Sequence, residues 1–313
     1  MIDAMDISVV IPTFNRKNTL EKCLASFGRQ SFPSDRFEVI VVDDGSTDQT
    51  WELVKGIKEE TAFSIICLRK ENSGPGSARN VGISKARGEI LLIIGDDIFP
   101  DPNLLREHWT WHKERFPGDH VGVLGFVTWA PDPPPSPLMI WLERGYQNAY
   151  HLLRHGEPAD WRHSYTGNMS IKRRFLEKTG ELFDERLPPY GYEDIEWGYR
   201  LMKKGFVLEY NRNAVGIHHH WVMIGDSFRR MEKVGLSARK LGEINPELHE
   251  LVLREMTPRT RWQSILLPVA LCPLIMRPFI LPVAKFLEQR KINSQIFALS
   301  HLYYFQRGFR AGV

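Results

Sequence analysis

The sequence predicts an α/β fold, a mostly parallel sheet with helices on both faces, followed by a helical C-terminal extension. Three observations predict it. Short β-branched runs alternate with amphipathic helical stretches from Ile7 to Ile94, polar clusters follow the runs at once, and the pattern turns helical and basic past about residue 226.

The elements follow in order. "ISVVIP" and "FEVIVVDDG" are β-branched runs of the kind buried in parallel sheets. Between them Leu20, Cys23, Leu24 and Phe27 recur at i, i+3, i+4 and i+7, an amphipathic helix. A second helix is expected in "STDQTWELVKGIK", capped by Ser46 or Thr47, with Trp51, Val54 and Ile57 on one stripe. The strand "FSIICL", a glycine-containing loop, a helix from Ala78 to Ala86 and the strand "EILLII" come next. This rhythm implies βαβ units, whose ligands bind beyond the carboxyl ends of the strands. Thr13 to Arg16, Asp43 to Asp48, and Asp96 with Asp97 all fall on that edge. After Trp129, "APDPPPSP" reads as an extended loop rather than a domain linker, and residues 138 to 210 as a less regular α+β half.

At 313 residues with 42% hydrophobic and 25% charged residues, the chain can bury a sizeable core, and wholesale disorder is excluded. A net charge of +3 on a chain this long is nearly balanced and argues neither for nor against nucleic acid; no nucleic-acid partner is expected. Cys23, Cys67 and Cys272 have no C-x-x-C spacing, and Cys23 and Cys67, inside apolar periodic segments, read as buried free thiols in a reducing compartment. The opening "MIDAMDISVVIPTF" lacks the basic n-region of an export signal, which places the catalytic part in the cytosol.

In "LLIIGDDIFPDP" an apolar strand ends on two adjacent carboxylates, Asp96 and Asp97. Such a pair suits a divalent cation that bridges phosphate oxygens, although Asp beside Pro100 also suits a turn or cap. A Walker-B strand is excluded, because no G-x-x-x-x-G-K-[ST] exists in the chain. Asp43 and Asp44 in "VVDDGSTDQT" allow a nucleoside contact or a plain turn. "ENSGPGSARN" offers Gly74 and Gly76 for close backbone approach and Arg79 for a phosphate. Glu193, Asp194 and Glu196 open a helix; acids belong there by the macrodipole, and one of them would also serve as a general base. Tyr190, Tyr192 and Trp197 are aromatic neighbours that would desolvate it. In "GIHHHW", alternation puts His218 and His220 on one face and His219 on the other.

Taken in order, "SVVIPTFNR", "VIVVDDGSTDQT", "NSGPGSARNVGISKARGEILLIIGDD", "YTGNMSIKRRFLEKTGELFDE" and "YEDIEWGYRLMKKGF" resemble the motif series of family-2 glycosyltransferases with the Rossmann-like GT-A fold. The resemblance covers about residues 6 to 220. It implies a nucleotide-diphospho-sugar donor, usually a UDP-sugar, a divalent cation (Mn²⁺ or Mg²⁺), and a single inverting displacement. By the same resemblance Pro12, Thr13, Asn15, Arg16, Asp43, Asp44, Gly74, Arg79 and Asp96 are donor-binding residues. Asp97, with Asp96 and His218, is the implied metal site. Asp194 is the implied base beside Glu193, and Gly167, Asn168 and Trp197 line the implied acceptor or donor-sugar pocket. Two departures stand out: Gly95 replaces a further aspartate of many members, and the Q-x-x-R-W signature of processive synthases is missing, with Pro258 where its glutamine would be. Single additions are therefore expected.

The expected organisation is a catalytic domain over residues 1–225, with a nucleotide-sugar half to about 129 and an acceptor half from about 130, then a tail over 226–313. In the tail, Ile265 to Leu287 is long enough to span a bilayer, but Pro268, Pro273, Pro278, Pro282 and Arg277 interrupt it. Basic flanks (Arg254, Arg259, Arg261, Lys285, Arg290, Lys291) favour a peripheral segment on the cytosolic face of a membrane, near a glycan or lipid-linked acceptor. A helical subdomain packed on protein is the competing expectation. Two other classes compete for the function. A sugar nucleotidyltransferase would want a glycine-rich N-terminal loop that "IPTFNRKN" is not, and a non-catalytic nucleotide-sugar-binding protein draws on the missing acid at Gly95.

Overall fold

The computed structural model describes residues 5–57, 61–146, 148–188, 191–256, 272–287 and 294–311. Of the expected features, Tyr190, Pro258, Arg259, Arg261, residues 265–271, Arg290 and Lys291 lie outside them.

The chain runs β1 (Ile7–Thr13), α1 (Lys17–Phe27), β2 (Phe37–Asp43), α2 (Thr50–Ile57), β3 (Ser64–Arg69), α3 (Pro75–Lys85), β4 (Ile90–Ile94), β5 (Ile98–Pro100) and α4 (Leu104–Thr110). It continues through β6 (Val121–Trp129), α5 (Pro137–Trp141), β7 (Pro158–Ala159), β8 (Asn168–Lys172), α6 (Arg173–Thr179), α7 (Glu193–Lys203) and β9 (Val207–His218). Then come α8 (Ile224–Ile244), α9 (Pro246–Met256) and a last helix, α10 (Ser294–Arg310).

The strands form one sheet in the order β3-β2-β1-β4-β8-β6-β9-β5, with β7 on β9. Strands β1 to β4 run parallel with each other, as do β6 and β9, while β8 lies antiparallel between β4 and β6. Every residue of β2 and β4 is buried, so these runs carry no polar face. The apolar stripe of α1 packs as its spacing requires, with Leu20, Cys23, Leu24 and Phe27 all buried.

Strand order reverses at β1, which has β2 on one side and β4 on the other. Pairing of β1 with β4 ends at Val10 and Ile93, whereas pairing with β2 continues to Thr13. Pro12 has no N–H to offer a second neighbour, which fits the one-sided pairing there. The crevice opened between the ends of β1 and β4 is where ligands bind in open α/β sheets.

Helix α2 begins later than the cap residues Ser46 or Thr47 would place it. Asn15 takes the Thr47 N–H at 2.7 Å, and the Asp48 carboxylate accepts the Thr50 N–H at 3.1 Å, so Asp48 is the residue that starts the helix. Helix α3 begins earlier than expected, with Pro75 in its first turn. The three cysteines are free, but only Cys23 is fully buried; Cys67 and Cys272 are half-buried.

Two compact units emerge. One comprises Met1–Ala130, Asn148–Glu185 and Asp194–His220 and holds the whole sheet. The other comprises Pro131–Gln147, Arg186–Glu193 and Trp221–Val313, so the proline-rich run is where the chain leaves the first unit. In the second unit, α8 and α10 meet through glycines: a Cβ on Gly235 would lie 2.0 Å from the Phe305 carbonyl oxygen, and one on Gly308 1.8 Å from that of Glu232. Ser227 and His301 add a buried hydrogen bond at 2.6 Å.

Candidate active site at the β1–β4 crevice

Thr13 ends β1 and Asp96 follows β4. The Thr13 hydroxyl donates to Asp96 Oδ2 at 2.7 Å, which ties the two strand ends together across the crevice. Burial and the charge of Asp97 push the Asp96 carboxyl well above the ordinary carboxylate range. Asp97 moves the other way. Burial disfavours its charge, but the hydrogen bond and charge of His218, with Arg16 and His220, hold its carboxyl far below the usual range.

The partners of Asp97 come from separate elements. Arg16 Nη1, before α1, reaches Asp97 Oδ2 at 3.1 Å and approaches His220 Nδ1 at 3.5 Å. His218 Nε2, at the end of β9, lies 3.4 Å from the same oxygen. The His219 backbone N–H donates to the Asp97 carbonyl at 2.8 Å. Strand alternation sorts the three rings as expected: His218 stacks between Trp129 and His220, and His219 stacks on Phe99 at 3.8 Å.

Gly95 is explained by space. A Cβ there would stand 3.0 Å from Asp97 Oδ1 and 3.2 Å from Ile98 Cγ1, so a third acid would press directly on the pair.

A divalent cation suits this corner. Two carboxylates and an imidazole are hard oxygen and borderline nitrogen donors, and the raised Asp96 shows that the pair's charge is under-compensated. Among the described residues no three His, Cys, Asp or Glu side chains already form a cage. The remaining ligands would have to come from elsewhere, as phosphate oxygens do for Mg²⁺.

The rest of the expected donor site is distributed along the same edge. Asn15, with φ 52°, accepts the Thr47 N–H and hydroxyl, while its own N–H donates to Ser46 Oγ at 2.8 Å. Asp43 is fully buried, accepting the Ser46 N–H at 2.9 Å and pairing with Arg69 at 3.3 Å. Asp44 accepts Lys70 Nζ at 2.9 Å, Ser73 N–H at 3.1 Å and Gly74 N–H at 2.8 Å, so it shapes the loop before α3. Gly74 has φ 95°, which an L side chain would resist, and turns the chain into α3. The Arg79 guanidinium lies over the Phe183 ring at 5.3 Å. Gly45, Arg69, Lys70, Glu71 and Asn72 line an open cavity of about 630 Å³ beside Asp44. Of its lining, sequence reasoning missed Arg69 and Lys70, whose only signal is a basic pair directly after an apolar strand.

The base candidates open α7. Asp194 is half-buried, takes the Ile195 N–H at 2.8 Å, and its charge bears on Tyr165, whose hydroxyl is pushed up to about 12 chiefly by burial. Glu193 accepts the Gly191 N–H at 3.0 Å, an N-terminal capping contact. Glu196 is buried in a pair with Arg200 at 2.8 Å.

Two expected pocket residues lie in the interior instead. Asn168 is fully buried: His108 meets its Oδ1 at 2.9 Å, and its Nδ2 donates to Phe126 and Ala214 carbonyls at 3.2 and 2.8 Å. It braces β8, β6 and β9. Trp197 is fully buried, stacked on Phe183 at 4.3 Å, and donates to the Glu181 carbonyl. Neither presents surface to a sugar. Gly167 remains at the site, its carbonyl accepting the Gly95 N–H at 3.4 Å with open space where a side chain would be.

The family model for "Glycosyl transferase family 2" matches residues 8–180, which is more than half of the chain. The chain belongs to glycosyl transferase family 2. It is 28% identical over 258 residues to the uncharacterized glycosyltransferase YfnE of Bacillus subtilis, a match covering 68% of this chain and 64% of that protein. The chain thus spans less than two thirds of that relative's length. Among solved structures it is similar to a mannosyltransferase from Pyrobaculum calidifontis in complex with GDP-Man and Mn²⁺, with a TM-score of 0.62 and 18% identity over 98% of this chain and 88% of that one. It is also similar to S. aureus TarS 1-349 in complex with UDP-GlcNAc, with a TM-score of 0.55 and 18% identity over 98% and 90%. These likenesses give the fold, which is GT-A.

Proposed function

We propose that this family-2 glycosyltransferase moves a sugar from a nucleoside-diphosphate donor, a UDP-sugar, to an acceptor hydroxyl with inversion and one residue at a time. The observation that carries the reading is the meeting of Thr13, Arg16, Asp96, Asp97 and His218 at the crevice between β1 and β4. The donor-binding set is Pro12, Thr13, Asn15, Arg16, Asp43, Asp44, Gly74, Arg79 and Asp96. The similar proteins solved with GDP-Man and with UDP-GlcNAc support a nucleotide-sugar at this edge.

Asp97 would hold a divalent cation with Asp96 and His218, and such an ion would supply positive charge to the diphosphate as it leaves. The protein's own part is as follows. Arg16 and Arg79 supply positive charge near the diphosphate. Asp194 takes the proton of the acceptor hydroxyl as its oxygen bonds to the anomeric carbon. The bond from that carbon to the β-phosphate oxygen breaks, and the electron pair stays on the phosphate. Glu193 braces the turn before Asp194.

The acceptor is a glycan or a lipid-linked glycan. Between Cys272 and Leu287 no acid occurs, Leu274 is 80% and Phe286 61% exposed, and Arg277 and Lys285 face solvent beside them. That combination supports peripheral attachment to the cytosolic face of a membrane. No helix of the described residues is long and apolar enough to cross one.

The test is a thermal-shift panel of UDP-, GDP- and dTDP-sugars with and without Mn²⁺, followed by an assay of nucleoside diphosphate release. Stabilisation by one donor together with release is expected. Stabilisation without release under any acceptor would favour a nucleotide-sugar-binding protein, and a flat panel would sink the donor assignment.

A further inference from the structure

One oxygen, Asp97 Oδ2, is claimed twice within the protein: by Arg16 Nη1 at 3.1 Å and by His218 Nε2 at 3.4 Å. A cation that approaches Asp97 Oδ2 meets the Arg16 guanidinium already there, and although the carboxylate has lone pairs to spare, the two positive charges repel at that distance. The Arg16 side chain is 31% and that of Asp97 17% exposed, so the pair faces the crevice rather than the core and can be opened. Arg16 Nη1 also stands 3.5 Å from His220 Nδ1. Arg16 is anchored through its backbone, whose N–H donates to Thr50 Oγ1 at 3.3 Å, which leaves the long side chain as the movable part.

We propose that Arg16 is the resident counter-ion of Asp97 and competes with the divalent cation for it, so that cation binding releases the guanidinium to the donor diphosphate. The inference rests on the reading of Asp97 as a cation ligand. It goes beyond that reading in predicting that one substitution has opposite effects on two ligands. Without nucleotide, Arg16 opposes the metal; with a diphosphate present, it helps hold it. Coupling of this kind requires that Mn²⁺ and nucleoside diphosphate strengthen each other's binding in the wild type, and that the strengthening shrinks when Arg16 is removed. Gly95 fits the arrangement: with no third acid beside the pair, Arg16 faces two carboxylates rather than three.

The experiment uses the full chain and measures Mn²⁺ binding by electron paramagnetic resonance, alone and with UDP or GDP, in wild type, Arg16→Gln, Arg16→Lys and Asp97→Asn. Thermal melting checks that each variant is folded. Arg16→Gln is expected to bind Mn²⁺ alone roughly two- to fivefold more tightly than wild type, the scale of one part-exposed ion pair. The same variant is expected to bind the diphosphate in the presence of Mn²⁺ at least about fivefold more weakly, as the loss of one charge-assisted contact requires. Arg16→Lys should fall between. A folded Arg16→Gln that binds Mn²⁺ alone no more tightly than wild type, while Asp97→Asn loses Mn²⁺, overturns the competition and leaves the cation site standing. No Mn²⁺ binding by any variant, with or without nucleotide, overturns the cation reading and this inference together.

Discussion

The imidazole of His218 lies flat against the indole of Trp129, ring centroids 4.6 Å apart and planes within 12°. Parallel pairing of β6 with β9 sets this contact, because Trp129 and His218 are register partners at the ends of their strands. The buried indole leaves His218 one open face, on which His220 stacks, and its Nε2 edge is directed to Asp97. Trp129 is therefore a positioning residue for the acidic pair.

Trp129→Ala should weaken Mn²⁺-dependent UDP binding roughly tenfold, the usual scale for removing a group that orients a ligating histidine. Trp129→Phe keeps a stacking face and should stay within about threefold. Calorimetric titration of both variants checks this, and equal affinities for Ala and Phe would contradict it.

Asp194→Asn should abolish sugar transfer, by about a thousandfold or more, while donor affinity changes little, because the amide cannot accept the acceptor's proton. Single-turnover transfer and UDP-sugar titration read the two effects separately. A variant that kept wild-type turnover would remove Asp194 from the base role.

The strand-end clusters are legible in the sequence because β-branched runs stop abruptly at Thr13, Asp43 and Asp96, and a continuous apolar run that ends on polar residues needs no tertiary knowledge. The meeting of Thr13 with Asp96 is less so: those residues are 83 apart, and only the crossover to the far side of β1 brings them to 2.7 Å. Asn168 misleads for a related reason. The family resemblance puts it in a sugar pocket, yet His108, 60 positions earlier, satisfies it inside the protein. Trp197 stands at helical spacing from Leu201, and both are buried in α7. The late start of α2 turns on an Asn15 side chain from another loop, which local capping rules do not see.

The buried pair His108 and His112 should contribute a loss of stability in mild acid. Ser170 Oγ lies 2.7 Å from His108 Nδ1 and 2.8 Å from His112 Nε2. With Asn168 Oδ1 accepting from His108 Nε2–H, the network assigns a neutral His108 whose Nδ1 accepts the Ser170 hydroxyl. Burial lowers His108 from 6.5 to about 4, and burial, His108, Lys172 and Lys113 lower His112 further. Between those two pH values the unfolded chain holds more protons than the folded one, so stability drops as pH falls from 6.5 toward 4 and is unaffected above. From pH 7.5 to pH 5, His108 alone should cost about 2 kcal/mol. The raised Asp96 carboxyl takes up a proton over the same range and offsets this loss, so the test compares urea midpoints of wild type and Asp96→Asn at both values. The loss should emerge in Asp96→Asn, and a flat midpoint in that variant would be inconsistent with a buried neutral pair.

The helical unit makes a sharper steric prediction. Gly308 of α10 faces the backbone of α8, where an added Cβ would stand 1.8 Å from the Glu232 carbonyl oxygen, and Gly235 answers from α8 with 2.0 Å to that of Phe305. Backbone oxygens cannot rotate aside as a side chain does, so any larger residue must push the two helices apart. That motion would loosen the buried Ser227–His301 bond and the Phe228–Tyr304 stack at 4.6 Å, both of which bridge the same helices. Overpacking a tight contact costs about 1–3 kcal/mol, and here several contacts share the strain, so Gly308→Leu should cost at least about 3 kcal/mol. Gly225→Ala is the control, since a Cβ there meets nothing nearer than Arg229 Nη1 at 3.7 Å. Amide exchange along Ile224–Ile244 reads the effect directly. Gly308→Leu should speed it through the middle of the helix and Gly225→Ala should leave it unchanged; equal protection in both variants would show that the glycine contact does not hold α8 to α10.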